Sequence, residues 1–216
     1  MKSKYKIFGL IILAMSIILP SVSFAQAKVE ITPFGGYMFG GKLRFYEGEL
    51  KIEDNVNYGI LLNFALAPDT KLEIFWSQMA TTARFKSYYG FDFPELTDPF
   101  DVNVNYIQIG GVQEADINND MIKPFGAFTL GTTYFNPTDN NIQDSWKFSV
   151  TLGGGAKIWL SDRIGIRLQG RLLMPLYFAG GGVYFGSGGS GVSVGAGSTI
   201  LQGDLTAGLI IGLGDY

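Results

Sequence analysis

From Val56 to Leu66 every second residue is large and apolar: Val56, Tyr58, Ile60, Leu62, Phe64 and Leu66. The residues between them, Asn57, Gly59, Leu61, Asn63 and Ala65, are mostly small or polar. Successive side chains of a β-strand point to opposite faces, so a period of two marks a strand with one greasy face. The pattern returns three times. It sets Trp146, Phe148, Val150 and Leu152 against Lys147, Ser149, Thr151 and Gly153. It sets Ile164, Ile166, Leu168 and Leu172 against Gly165, Arg167, Gln169 and Arg171. Last, it sets Leu201, Leu205, Leu209 and Leu213 against Gln202, Asp204, Thr206 and Gly208.

Four weaker strands fill the gaps, near 28–39, 71–83, 101–113 and 121–135, which brings the total to eight. Val29, Ile31, Tyr37 and Phe39 share the apolar face of the first. In the stretch 71–83, Leu72, Ile74 and Trp76 turn outward while Lys71, Glu73 and Ser77 turn inward. In the stretch 101–113 the phase blurs at Tyr106-Ile107, which suggests a bulge. The connections alternate in length. Segments 40–54, 84–100, 136–145 and 178–198 are long, whereas Ala67-Pro68-Asp69-Thr70, 116–120 and Ser161-Asp162-Arg163 are short. Membrane barrels sort their connections this way, with short periplasmic turns and long extracellular loops.

Alternation alone does not say which face is buried. Charged residues make up only 16% of the chain, against about 25% in ordinary soluble domains. The polar strand face carries Asn63, Ser149, Thr151, Gly153, Gly155, Thr206 and Gly208, few of the charges a water-facing surface needs. Such a face suits a crowded barrel interior, with the apolar face turned to lipid. Tyr37, Tyr58, Trp76, Tyr134, Trp146, Trp159 and Tyr177 lie near strand ends, where aromatic girdles form. The expectation is an all-β protein, an eight-stranded antiparallel up-and-down transmembrane β-barrel with short periplasmic turns and long extracellular loops.

The N-terminus fits that location. Lys2, Lys4 and Lys6 precede an apolar run of 13 residues, Ile7 to Leu19, which Pro20 ends. Small residues at Ala25 and Ala27 have cleavage spacing, so residues 1–25 read as a secretory signal peptide, with cleavage after 27 as the alternative. A spanning helix needs about 20 apolar residues, more than this run offers. Residues 26–216 then form the barrel domain. Without the three N-terminal lysines the 19 acidic residues clearly outnumber the basic ones, which argues against nucleic acid as a partner.

The signal segment, the eight alternating strands and Lys123-Pro124-Phe125-Gly126-Ala127-Phe128 opening the fifth strand resemble the small outer-membrane barrels of Gram-negative bacteria, the OmpA, OmpX and OmpW kind. The resemblance covers the whole mature chain and implies residence in the cell outer membrane. Expected partners are outer-membrane lipid and lipopolysaccharide, the barrel-insertion machinery and an envelope protein. The terminal Tyr216 is similar to the aromatic signal that the insertion machinery reads. Unlike in OmpA, no peptidoglycan-binding domain is expected after the barrel.

Chemistry-bearing motifs are few. The chain has no Cys and no His, which removes thiol catalysis, Cys-based zinc sites and the usual general base. Outer-membrane lipases, deacylases, acyltransferases and omptin proteases rely on His, so the chain reads as a non-enzyme without cofactor. Gly186 to Gly191 matches G-x-G-x-x-G but lacks the helix a dinucleotide site needs, and reads as a flexible loop. Asp116 to Asp120 starts like a calcium loop, but Met121 stands where its Gly belongs, so it reads as a turn. Asp92, Glu95, Asp98 and Asp101 read as a solvated acidic loop.

The informative cluster is charged and inward-facing: Glu73, Lys157, Arg167, Arg171 and Asp204. Eight strands enclose a space that side chains fill, and charges buried there must pair. These five residues are expected to form one network that plugs the lumen. The functional expectation is a structural, adhesion or partner-binding barrel. The alternatives are a narrow pore for small or hydrophobic solutes and an accessory subunit of a larger envelope complex.

Overall fold

The structure, a computed structural model, describes residues 29–44, 48–87, 98–119, 121–138, 143–176, 181–186, 189–194 and 200–214. Eight long strands form the wall: β1 (Val29–Phe39), β4 (Asn55–Ala67), β5 (Thr70–Ser87), β6 (Phe100–Glu114), β7 (Ile122–Pro137), β8 (Ser145–Trp159), β9 (Ile164–Leu176) and β12 (Gln202–Leu213). Each pairs antiparallel with its neighbours in the chain, and β1 pairs with β12 from Val29↔Leu213 to Phe39↔Gly203. That last ladder closes the barrel and leaves no open edge in the wall. No helix among the described residues is long and apolar enough to cross a membrane. The signal segment lies outside the described residues.

The connections sort to two ends. At one end, the turn end, tight links join β4 to β5 and β8 to β9, and the segment between β6 and β7 is held by its own side chains. There Asn118 takes a positive φ of 55°, its amide donates to Asp116 Oδ1, and the Met121 amide donates to Asn119 Oδ1. This is the turn expected at 116–120. The opposite, loop end differs from the sequence reading in two places. Segment 40–54 is not only a connection: β2 (Lys42–Arg44) and β3 (Gly48–Ile52) fold back as a hairpin, and β3 pairs with the upper part of β5. Segment 178–198 holds a second hairpin, β10 (Gly181–Gly186) with β11 (Gly189–Val194), so Gly186 and residues 189–191 of the run expected as a loop lie in strands. Tyr177, Asp92 and Glu95 lie outside the described residues.

Side-chain facing follows the period of two. Leu152, Leu168, Leu205, Leu209, Phe128 and Leu130 point outward and are 41–61% exposed, whereas Asn63, Ser149, Lys157 and Arg167 point inward and are buried. A band of large exposed apolar groups around a closed wall is stable only against an apolar medium.

The bulge expected at Tyr106-Ile107 does not occur. Both ladders of β6 run without a register shift, from Thr70↔Gln113 to Ala83↔Phe100 and from Val102↔Pro137 to Glu114↔Phe125. What changes at that point is polarity. Below it, Ile107 and Ile109 face outward and Gln108 inward; above it, Asn103 and Asn105 face outward while Val102, Val104 and Tyr106 are buried inside. The same exchange occurs along β5. The irregularity in the wall instead sits between Ala65 and Ala67, beside the β4–β5 turn.

Two inward glycines mark where the wall bends tightly. A Cβ at Gly59 would lie 2.1 Å from the Trp76 carbonyl oxygen, and one at Gly131 2.2 Å from that of Ile107. Only a residue without Cβ lets the neighbouring backbone come this close.

Candidate functional site

The lumen is filled in levels. At the turn end, inward positions of β1, β5, β6 and β8 bring Glu30, Lys71, Glu114 and Lys157 together. Lys157 Nζ donates to Glu30 Oε2 at 2.5 Å and to Glu114 Oε1 at 2.7 Å. Lys71 Nζ reaches Glu114 Oε1 at 2.8 Å and also bonds Glu30. Each charge therefore meets two of opposite sign. The Lys157 side chain is fully buried and the other three are 4–9% exposed, so the ring offsets a desolvation cost that a lone charge could not bear.

The next level is built on β9. Arg167 lies 2.8 Å from Glu73 Oε2, and Asn63 bridges the two by donating to Glu73 at 2.9 Å and accepting from Arg167 at 3.1 Å. Arg167 Nε donates to Gln169, and its guanidinium stacks 4.4 Å from the Phe125 centroid. Four residues along, Arg171 grips Asp204, its direct neighbour in the β9–β12 ladder, through Nε at 3.0 Å and an amino nitrogen at 2.5 Å. Two parallel bonds of this kind fix the angle of both groups. Asn57 donates a further bond to Asp204, and the Arg171 guanidinium lies 4.0 Å from the Phe75 centroid. On the opposite wall Gln108 accepts from Thr129 at 2.6 Å and donates to Ser149 at 2.8 Å.

Above the arginines the lumen turns apolar. Met38, Met79, Val104, Leu173 and Ile200 are fully buried, with Phe135 and Ile52 beside them. Within this cap Tyr106 donates its hydroxyl proton to Gln202 at 2.6 Å, and the Gln202 amide nitrogen lies 4.0 Å from Met38 Sδ.

The five charges singled out from sequence thus do not form one network. Arg171 and Asp204 meet, and Glu73 meets Arg167. Lys157 joins neither pair, because it sits nearer the turn end, where Glu30 and Glu114 face it. Glu30, Lys71 and Glu114 are the other buried lumen charges among the described residues and were outside the five. Strand parity carries the signal for each: Glu30 lies between outward Val29 and Ile31, Lys71 shares its face with Glu73, and Glu114 shares its face with Gln108. Among the described residues the lumen then holds four buried cations and four buried carboxylates, all in ion pairs.

A second feature lies outside. At the level where polarity exchanges, one cross-strand row runs Trp146–Tyr134–Asn105–Gln78–Tyr58 over five strands, every step a direct register pair. Tyr134 stacks on Trp146 at 4.4 Å, and Tyr58 meets Trp76 edge to face at 6.1 Å.

No family model matches the chain, and no curated protein matches it in sequence. Solved structures do match. The chain is similar to Neisserial surface protein A at 12% identity and TM-score 0.53, covering 85% of this chain and 96% of that one. It is similar to the outer membrane protein OprG from Pseudomonas aeruginosa at 10% identity and TM-score 0.54, covering 87% and 96%. It is also similar to the outer membrane protein AlkL, determined in lipid bilayers, at 12% identity and TM-score 0.53, covering 91% and 95%. At these identities the likeness is one of fold: the closed eight-stranded barrel of small outer-membrane proteins.

Proposed function

We propose that the protein is an exported outer-membrane barrel that does not conduct and acts as a rigid anchor for its loop end, in a structural, adhesion or partner-binding role. One observation carries this reading: the lumen is occupied level by level, by the four-charge ring, the two arginine pairs and the apolar cap. An eight-stranded barrel has room for side chains and little else. The turn end then faces the periplasm and the loop end the outside, and residues 1–25 are the segment removed on export. Without His, the chain lacks the group on which the barrel hydrolases depend, so the role is one of binding rather than catalysis.

The test is electrical. Purified protein in planar phospholipid bilayers is expected to leave the membrane as insulating as bare lipid. Regular, long-lived channel openings would overturn the plugged reading and favour the pore. Mass spectrometry of the mature chain is expected to place its first residue at Gln26 or Lys28, and a retained N-terminus would contradict export by a cleaved signal.

A further inference from the structure

The loop end carries two hairpins, and their free edges differ. β2 ends the wall sheet on one side; it is three residues long and contains Lys42 and Arg44. Sheets normally guard a free edge in this way, with a short strand and with charge. β10 and β11 are six residues long each, and among the described residues they pair with each other and with no other strand. Their ladder runs from Gly181↔Val194 to Gly186↔Gly189, so the far edge of each strand presents N–H and C=O groups that the ladder does not use. Neither strand contains a charged residue or a proline.

The lack of charge extends well beyond the two strands. From Leu172 to Gly203 the chain has no Lys, Arg, Asp or Glu. Every other loop-end connection carries charge: Lys51 and Glu53 in 40–54, Arg84 and Lys86 in 84–100, Asp139 and Asp144 in 136–145. A two-stranded ribbon is marginally stable in water and gains once further strands join it. The free edge therefore favours a strand from elsewhere, and the composition says whose. A foreign partner is commonly selected by complementary charge, and this segment offers none. Two copies of one acidic chain repel wherever their charged elements meet. The uncharged hairpin is where two such copies approach without that penalty.

We propose that the β10–β11 hairpin is a self-association element: its free edge pairs with the same hairpin of a second copy of this chain, joining two ribbons into one sheet. This pairing rests on the outer-membrane reading above and names the partner for the binding role given there. Main-chain hydrogen bonds supply the affinity, as in other strand additions, and the absence of like-charge repulsion selects the second copy. Anchoring each ribbon on a barrel raises its local concentration, so an edge contact too weak to join free peptides suffices.

The experiment uses the mature chain folded in non-ionic detergent, its mass read by sedimentation equilibrium over a range of protein concentrations. The unaltered protein is expected to form dimers or larger assemblies. The double variant Tyr184→Lys with Ser190→Lys puts one charge on each strand and, by strand parity, one on each face of the ribbon. Its association is expected to be about tenfold weaker, the effect of a few like-charge cross-strand contacts. The double variant Tyr184→Glu with Ser190→Glu is expected to weaken association as much. An equal mixture of the Lys and Glu variants is expected to associate again, which two misfolded hairpins would not do. A parent that stays monomeric at every concentration would overturn the proposal. A Lys variant that associates like the parent would also overturn it, as would a mixture that remains monomeric. Failure of the parent to show the heat-shifted gel mobility of a closed barrel would instead strike the outer-membrane reading itself.

Discussion

The two halves of β5 obey the same geometry and opposite chemistry. Toward the turn end its buried residues are Lys71 and Glu73 and its outward ones Leu72 and Ile74. Toward the loop end its buried residues are Met79, Ala83 and the uncharged Thr81, whose hydroxyl donates to the Glu53 carbonyl, and its outward ones include Thr82 and Arg84. β6 makes the same exchange between Gln108 and Val104. The backbone dictates that side chains alternate, but the medium outside decides which alternate set is apolar. Where the wall faces lipid, the inside takes polar groups and must pair them. Where it faces water, the inside becomes an ordinary hydrophobic core. The exchange coincides with the aromatic row, the level at which amphipathic rings gain from having one side dry and one wet.

The comparison can be broken most severely at the lumen charges. Asp204→Ala strips Arg171 of its bidentate partner and is expected to cost about 3–5 kcal/mol in denaturant unfolding from phospholipid vesicles. The double variant Asp204→Leu with Arg171→Met is expected to regain most of that, since the penalty belongs to the unpaired charge. A double variant as unstable as the single one would show that the pair does more than neutralise itself.

In the watery half the equivalent injury is a cavity. Met79→Ala removes a fully buried side chain from the apolar cap and is expected to cost about 2–5 kcal/mol. A negligible loss would mean that the cap is not a packed core.

One substitution made at two heights sharpens the contrast. Leu152→Arg, outward in the lipid-facing band, is expected to cost about 2–4 kcal/mol. Thr82→Arg, outward in the upper part of β5 beside Asp101, is expected to stay within about 0.5 kcal/mol of the parent. Equal costs at the two sites would erase the proposed boundary. A moderate loss is expected at the bend. Gly59→Ala forces the β4 and β5 backbones apart and is expected to cost about 1–3 kcal/mol, read in the same unfolding assay.

Much of this was readable in advance because parity is a local property. Lys71, Glu73, Arg167, Arg171 and Asp204 lie on the inner face for the same reason that Leu72, Leu168 and Leu205 lie on the outer one. The loop-end hairpin β2–β3 was not readable. Its strands are short, and what holds β3 is the ladder from Gly48↔Ser87 to Ile52↔Ala83 rather than any pattern of its own. The blur at Tyr106-Ile107 was visible, but a bulge and a change of medium leave the same mark on a sequence. Only the unbroken ladders on both sides of β6 separate them.

The sequence by itself determined the number of wall strands, the facing of their side chains and the presence of charges inside, because each follows from a period of two and from the balance of apolar and polar groups. The tertiary structure alone decided which charge meets which. Lys157 finds Glu30, 127 residues away, and Glu114, 43 residues away, rather than the nearer-numbered arginines' partners. The reason is physical: closing the wall staggers each strand against the next, and that stagger sets the height of every inward residue. Parity says that a side chain enters the lumen; only the closed barrel says at what level, and therefore beside whom.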